Sequence, residues 1–169
     1  MGQPAEAIRS LLPDEHYRLS ASSLRAAMAE DRSRGLRPLM VVATAGTTNT
    51  GAVDDLPSIA DICDEYGAWL HVDGAYGGPA ALCKRGRAVM PGLERADSFV
   101  VDPHKWLFQP YDIACLFVRE PGALERTFAM YPEYLADVTG SEVDLHNRSL
   151  ELTRRGRGIK LWLTLRAYG

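Results

Sequence analysis

Two short stretches hold the residue types best suited to covalent chemistry. In His71-Val72-Asp73-Gly74-Ala75-Tyr76-Gly77-Gly78 an aspartate closes an apolar run. In Asp102-Pro103-His104-Lys105-Trp106-Leu107 a lysine sits between an imidazole and an indole. A carboxylate at the end of a buried run faces a desolvation cost unless a cation or hydrogen-bond donor answers it. Taken alone, Asp73 is equally a turn residue or a helix cap, and the glycines after it either form a turn or admit something flat against the backbone. An amine held away from bulk water is a usable nucleophile toward carbonyls. A surface lysine beside a core tryptophan is the plainer reading of Lys105 alone. Pro103 sets the local backbone and biases Asp102 toward extended geometry.

Several elements must position these residues. Residues 21–34 carry Leu24, Ala27 and Met28 at helical spacing, with Ser22 or Ser23 as a cap and Gly35 as a stop. Leu39 to Thr44 reads as a short strand buried on both faces. A second helix over Asp54–Tyr66 places Leu56, Ile59, Ala60, Cys63 and Tyr66 on one stripe and ends at Gly67. Further strands are predicted at Ala68–Asp73, Ser98–Asp102 and Ile113–Val118. This alternation points to one layered α/β unit with a largely parallel sheet. Ligands gather at the carboxyl ends of such strands, where Thr47, Thr48, Asp73, Asp102, His104 and Lys105 fall. Beyond Val118 the spacing predicts a short helix over Pro121–Met130 and a polar loop over 131–148, of the length that is often functional or disordered. A last helix is predicted from Gly158 to the end.

Composition narrows the classes without choosing one. The 169 residues are 46% hydrophobic and 24% charged, with a net charge of −3, which suits a globular chain and not a disordered one. Scattered, mildly acidic charge gives no reason to expect nucleic acid or an anionic membrane as partner. No apolar run nears the roughly 20 residues of a membrane helix, and the first residues lack the pattern of a secretory leader. Three cysteines at unrelated spacings form neither a zinc pattern nor a disulfide framework, so a cytoplasmic setting is expected.

The two chemical stretches gain meaning together. A strand-end carboxylate followed by a strand-end lysine meets the needs of pyridoxal 5'-phosphate: the lysine forms the Schiff base, and the acid keeps the pyridine nitrogen protonated so that the ring accepts electrons. Ala75 leaves room for a planar ring. Thr47 and Thr48 supply hydroxyl and N–H groups at the same edge.

Ala43-Thr44-Ala45-Gly46-Thr47-Thr48-Asn49-Thr50-Gly51-Ala52, the His71–Gly78 block, Asp102-Pro103-His104-Lys105-Trp106, Arg154-Arg155, and Leu161-Trp162 through Arg166-Ala167-Tyr168-Gly169 carry a resemblance over nearly the whole chain. The chain resembles the group II pyridoxal-phosphate-dependent amino-acid decarboxylases, the family of aromatic-L-amino-acid decarboxylase. These belong to the fold type I (aspartate aminotransferase-like) enzymes. The resemblance implies decarboxylation of an L-amino acid to the amine and CO2, and a homodimer at full length. Lys105 is then the Schiff-base lysine and Asp73 the partner of the pyridine nitrogen. Ala75 packs against the ring, and Thr48 lies near the exocyclic groups. His104 and Asp102 match positions that help hold the phosphate. Tyr134, in Pro132-Glu133-Tyr134-Leu135, matches a loop tyrosine that protonates the substrate carbon after CO2 leaves, which makes 131–148 a mobile catalytic loop.

Three departures qualify the match. Asp102 stands where animal members carry asparagine, so it is expected to meet the phosphate region through its backbone or to pair with a cation. Gly74 replaces a common alanine and is expected only to loosen the turn. Members are also much longer. The resemblance therefore implies that residues 1–169 are an internal part of the large domain, without its first half or the C-terminal small domain. Two alternatives stay open: an aminotransferase or lyase on the same fold, or a catalytically silent piece that contributes a dimer surface.

Overall fold

Alternating apolar residues build the sheet. The computed structural model describes residues 4–129 and 145–169, and the chain divides into two compact units, Met1–Phe117 and Val118–Gly169. In the first, β1 (Met40–Thr44), β2 (Trp69–Asp73), β3 (Ser98–Val101) and β4 (Cys115–Val118) form one sheet in the order β1-β2-β3-β4. β1 and β2 pair in parallel from Met40↔Trp69 to Thr44↔Asp73. β2 and β3 pair in parallel from His71↔Ser98 to Asp73↔Val100. The expected α/β architecture with a mostly parallel sheet is the one observed.

Helix α1 (Ala21–Ser33) and helix α2 (Leu56–Tyr66) cover one face. Leu24 and Met28 from α1, Leu56, Ile59, Ile62 and Cys63 from α2, and Val41, Ala43, Leu70 and Val72 from the strands make one buried cluster. In that cluster burial pushes the Cys63 thiol up to about 11, as befits a packing residue. Asp55 caps α2 by accepting from the Ser58 N–H, Pro57 sits in the first turn where no donor is needed, and Gly67 ends the helix with a φ of 66°. The α1 cap is Ser20, not Ser22 or Ser23, because it is the Ser20 hydroxyl that accepts the Ser23 N–H.

Strand β1 corrects one expectation. It is not buried on both faces: Val41 and Ala43 point into the core, whereas Met40 and Val42 are 54% and 53% exposed. Among the described residues β1 ends the sheet's strand order and has α2 on one side, so half of this apolar run has no cover there. Five short helical pieces of the first unit escaped the periodicity: 3-10 turns at Ala5–Ala7, Gly78–Leu82 and Leu93–Arg95, helix α3 (Lys84–Ala88), and helix α4 (Pro103–Trp106), which starts directly after β3. Each is too short to print a repeat on the sequence.

The second unit contains α5 (Ala123–Phe128), a 3-10 turn at Leu145–Arg148, and α6 (Arg157–Tyr168). Arg148 Nε donates to Glu125 at 2.5 Å and ties the turn to α5. No helix among the described residues is long and apolar enough to cross a membrane.

Asp54 lies outside α2, although the sequence places it inside. Its side chain is buried, and its two oxygens accept the Leu19 and Thr44 N–H groups, each at 2.7 Å. It thereby ties the end of β1 to the approach of α1. Asp54→Ala leaves both donors without a partner and is expected to lower folding stability by about 3 kcal/mol, with Asp54→Asn losing less. Urea unfolding of the three proteins measures this.

Candidate active site

The parallel register brings Thr44 and Asp73 level, and the chain leaves β3 into α4 at the same edge. A cleft of about 240 Å³ opens there, lined by Thr44, Gly46, Thr47, Thr48, Asp73, Ala75, Tyr76 and Lys105. Four predicted site residues therefore meet: Lys105, Asp73, Ala75 and Thr48. Asp102 and His104 do not line the cleft. Tyr134 lies outside the described residues.

Asp73 ends β2 with Oδ1 accepting the Ala75 N–H at 2.9 Å. That bond closes a tight Asx-type turn, so the turn and the acid are one feature and not alternatives. Among the described residues no donor reaches Oδ2. The two neighbouring threonines divide their tasks. Thr47 Oγ1 accepts the Ala52 N–H at 3.0 Å and meets Thr50 Oγ1 at 2.6 Å, so its hydroxyl serves the 47–52 turn. Thr48 is exposed, and its hydroxyl has no partner among the described residues.

Lys105 is held by charge more than by burial. Its Nζ lies 2.8 Å from Asp102 Oδ2, with a side chain still 35% exposed. This is the cation pairing expected of Asp102. His104 faces away from the cleft: its Nδ1 lies 2.6 Å from the Ile113 carbonyl oxygen, and its Nε2 is 3.8 Å from the same Asp102 oxygen. Trp106 stands edge-on to Tyr76, with ring centroids 5.5 Å apart.

Behind Asp73, on the same face of β2, lie His71 and Trp69. The Trp69 indole can only donate, and it donates to Ser98 Oγ at 2.8 Å. The Ser98 hydroxyl hydrogen is then free for His71 Nδ1, 2.7 Å away. Burial lowers the His71 pKa below 6.5, against a smaller upward pull from Asp73. A neutral His71 accepting at Nδ1 fits both facts.

Two backbones make contact beside the cleft. A Cβ on Gly77 would lie 2.6 Å from both Gly46 Cα and the Ala45 carbonyl oxygen, and Gly46 itself has a φ of 88°. Gly46, Tyr76 and Thr44 are the lining residues that sequence reasoning passed over. The paired glycines in motifs already noted were the available signal for the first. Gly74 corrects an expectation: it does more than loosen a turn. A Cβ there would meet the Phe99 ring at 2.2 Å, so glycine makes room for a ring that stacks on Phe117.

Comparison with known proteins follows the same outline. Residues 5–169 match the family described as pyridoxal-dependent decarboxylase conserved domain. An aromatic-L-amino-acid decarboxylase of Bacillus atrophaeus is 48% identical over 160 residues, covering 92% of this chain and 33% of that protein. A phenylacetaldehyde synthase of Petunia hybrida is 43% identical over 90% of this chain and 31% of its own length. The structure of Oryza sativa TDC with PLP and tryptamine superposes with a TM-score of 0.85 at 41% identity, covering 91% of this chain and 32% of that one. The chain thus spans about a third of the relatives it matches.

Gly77→Ala is expected to force the 45–48 segment away from the 75–77 turn and to open the cleft. A fall in thermal midpoint together with weaker ligand retention checks this. His71 bears on pH. Its folded pKa is lowered, so the unfolded chain binds the proton more readily. The stability it contributes is present above about 6.5 and is lost as pH falls below that value. His71→Gln should flatten this part of a stability-against-pH curve measured by denaturant unfolding.

Proposed function

Since this chain belongs to the pyridoxal-dependent decarboxylase family, we propose that it carries the lysine-and-carboxylate part of an active site that removes CO2 from an L-amino acid and leaves the amine. The observation that carries this reading is the meeting of Lys105 and Asp73 in one strand-end cleft with Ala75 and Thr48. The donor set fits pyridoxal 5'-phosphate. It offers one amine for an aldehyde, one carboxylate with an unused oxygen for a ring N–H, a small residue for a flat face and a free hydroxyl for a polar substituent. When bound, this group supplies a ring that accepts the electron pair left by the departing carboxylate.

The chain's own residues divide the remaining tasks. Lys105 is the nucleophile that anchors the group and later takes part in releasing the amine. Asp73, fixed by the Ala75 N–H, holds a proton at the ring nitrogen. Ala75 leaves the ring face clear, and Thr48 donates to an exocyclic oxygen. By the resemblance Asp102 and His104 would help hold the phosphate, although neither side chain lines the cleft. Tyr134 gives a proton to the carbon that CO2 has left. The 131–148 segment that carries it is the catalytic loop in this reading.

Related proteins named for aromatic amino acids make an aromatic L-amino acid the first substrate to test. A homodimer is the expected assembly. The phenylacetaldehyde synthase likeness favours a second reading, in which the same cleft yields an aldehyde. Quantifying amine and aldehyde in one assay chooses between them.

Borohydride reduction of the full-length protein with pyridoxal 5'-phosphate should leave the cofactor's mass on the peptide containing Lys105. Lys105→Ala should lose this adduct and its absorbance, with CO2 release falling at least about a thousandfold. Asp73→Asn should keep the adduct and lose most turnover. An adduct that persists in Lys105→Ala would refute the assignment.

A further inference from the structure

Asp102 sits at a position the family resemblance gives to the phosphate, yet its carboxylate is committed elsewhere. Oδ2 lies 2.8 Å from Lys105 Nζ and 3.8 Å from His104 Nε2, and the acid's side chain is only 16% exposed. It occupies the N-cap position of α4 without capping it, so the oxygen serves the ammonium and not the helix. The surrounding turn is anchored at three points. The Asp102 N–H donates to the Ala75 carbonyl at 3.2 Å, the Lys105 N–H donates to the Asp102 carbonyl at 2.9 Å, and His104 is held by the Ile113 backbone. Through Ala75 the acid is fixed to the cleft wall itself.

We propose, resting on the function given above, that Asp102 is a positioning residue that latches Lys105 before the cofactor arrives and slows its capture by the aldehyde. The Lys105 ammonium pairs with the Asp102 carboxylate at 2.8 Å in a charge-assisted hydrogen bond, and an ammonium has no lone pair to attack with. Capture requires Lys105 to give a proton to water and to bond its nitrogen to the aldehyde carbon, and the aldehyde oxygen then leaves as water. The first of these events takes the charge out of the contact with Asp102. The lysine's partial exposure keeps the latch reversible. An asparagine of the same shape would orient the lysine with a neutral acceptor and leave no ion pair to open.

A second route to slow capture is repulsion between Asp102 and the cofactor's phosphate. Pyridoxal has the same aldehyde without the phosphate and separates the two. Cofactor-free full-length protein is mixed with pyridoxal or with pyridoxal 5'-phosphate, and the growth of the Lys105 adduct's absorbance is followed with no substrate present. Asp102→Asn is expected to speed capture of both aldehydes by about two- to fivefold, the worth of one part-exposed ion pair. It should also remove the acceleration that added salt gives the unaltered protein with pyridoxal. Asp102→Glu, which keeps the charge and checks that substitution here is tolerated, should stay slow. Equal rates for the unaltered protein and Asp102→Asn overturn the latch. So does a gain confined to pyridoxal 5'-phosphate, or fast capture by Asp102→Glu. Capture at Lys105 with equal rates brings down the latch alone, whereas no capture at Lys105 in the unaltered protein brings down the function reading with it.

Discussion

Parallel pairing of β1, β2 and β3 ends all three strands at one edge, with Thr44 level with Asp73 and Asp73 level with Val100. Backbone polar groups at that edge have run out of strand partners, so the loops there must satisfy them by other means. Asp54 accepts the Thr44 N–H, the Asp102 N–H goes to Ala75, and Asp73 turns back on the Ala75 N–H. The cleft is what remains between these solutions. A shift of one residue in the β1–β2 pairing would turn Asp73, His71 and Trp69 into the hydrophobic core and dissolve the site.

Three aspartates near this edge are set to three tasks by their neighbours. Asp54 is buried and spends both oxygens on backbone N–H groups, which makes it a structural tie. Asp73 spends one oxygen on a turn and lines the cleft. Asp102 spends its charge on a lysine three residues away. The same negative charge acts at a distance as well: burial first, and then Asp102, push the Cys115 thiol up. Chemical type alone does not separate these roles.

Close backbone contact is the second device that shapes the cleft. Gly46 and Gly77 let the 45–48 segment lie directly on the 75–77 turn, and Gly74 and Gly78 admit the Phe99 ring from beneath. The wall carrying Thr48 and the wall carrying Ala75 are therefore positioned by the absence of side chains. Hydroxyls, a carboxylate and an amine converge between these walls.

Much of this was legible in the chain as written. The 3.6-residue stripe of Leu56, Ile59 and Cys63, the apolar runs ending at Thr44, Asp73 and Val101, and the order of acid before lysine are local patterns, and local patterns survive translation into sequence. The convergence of Lys105 and Asp73 on one strand edge follows from them. Tertiary structure alone decided which threonine keeps a free hydroxyl, which acid holds the lysine, that Asp54 is a tie and not the start of a helix, and that β1 leaves Met40 and Val42 uncovered. Those outcomes depend on register and on contacts between residues distant in the chain. A one-dimensional pattern records which side chains alternate, and not which groups they will face once the strands are side by side.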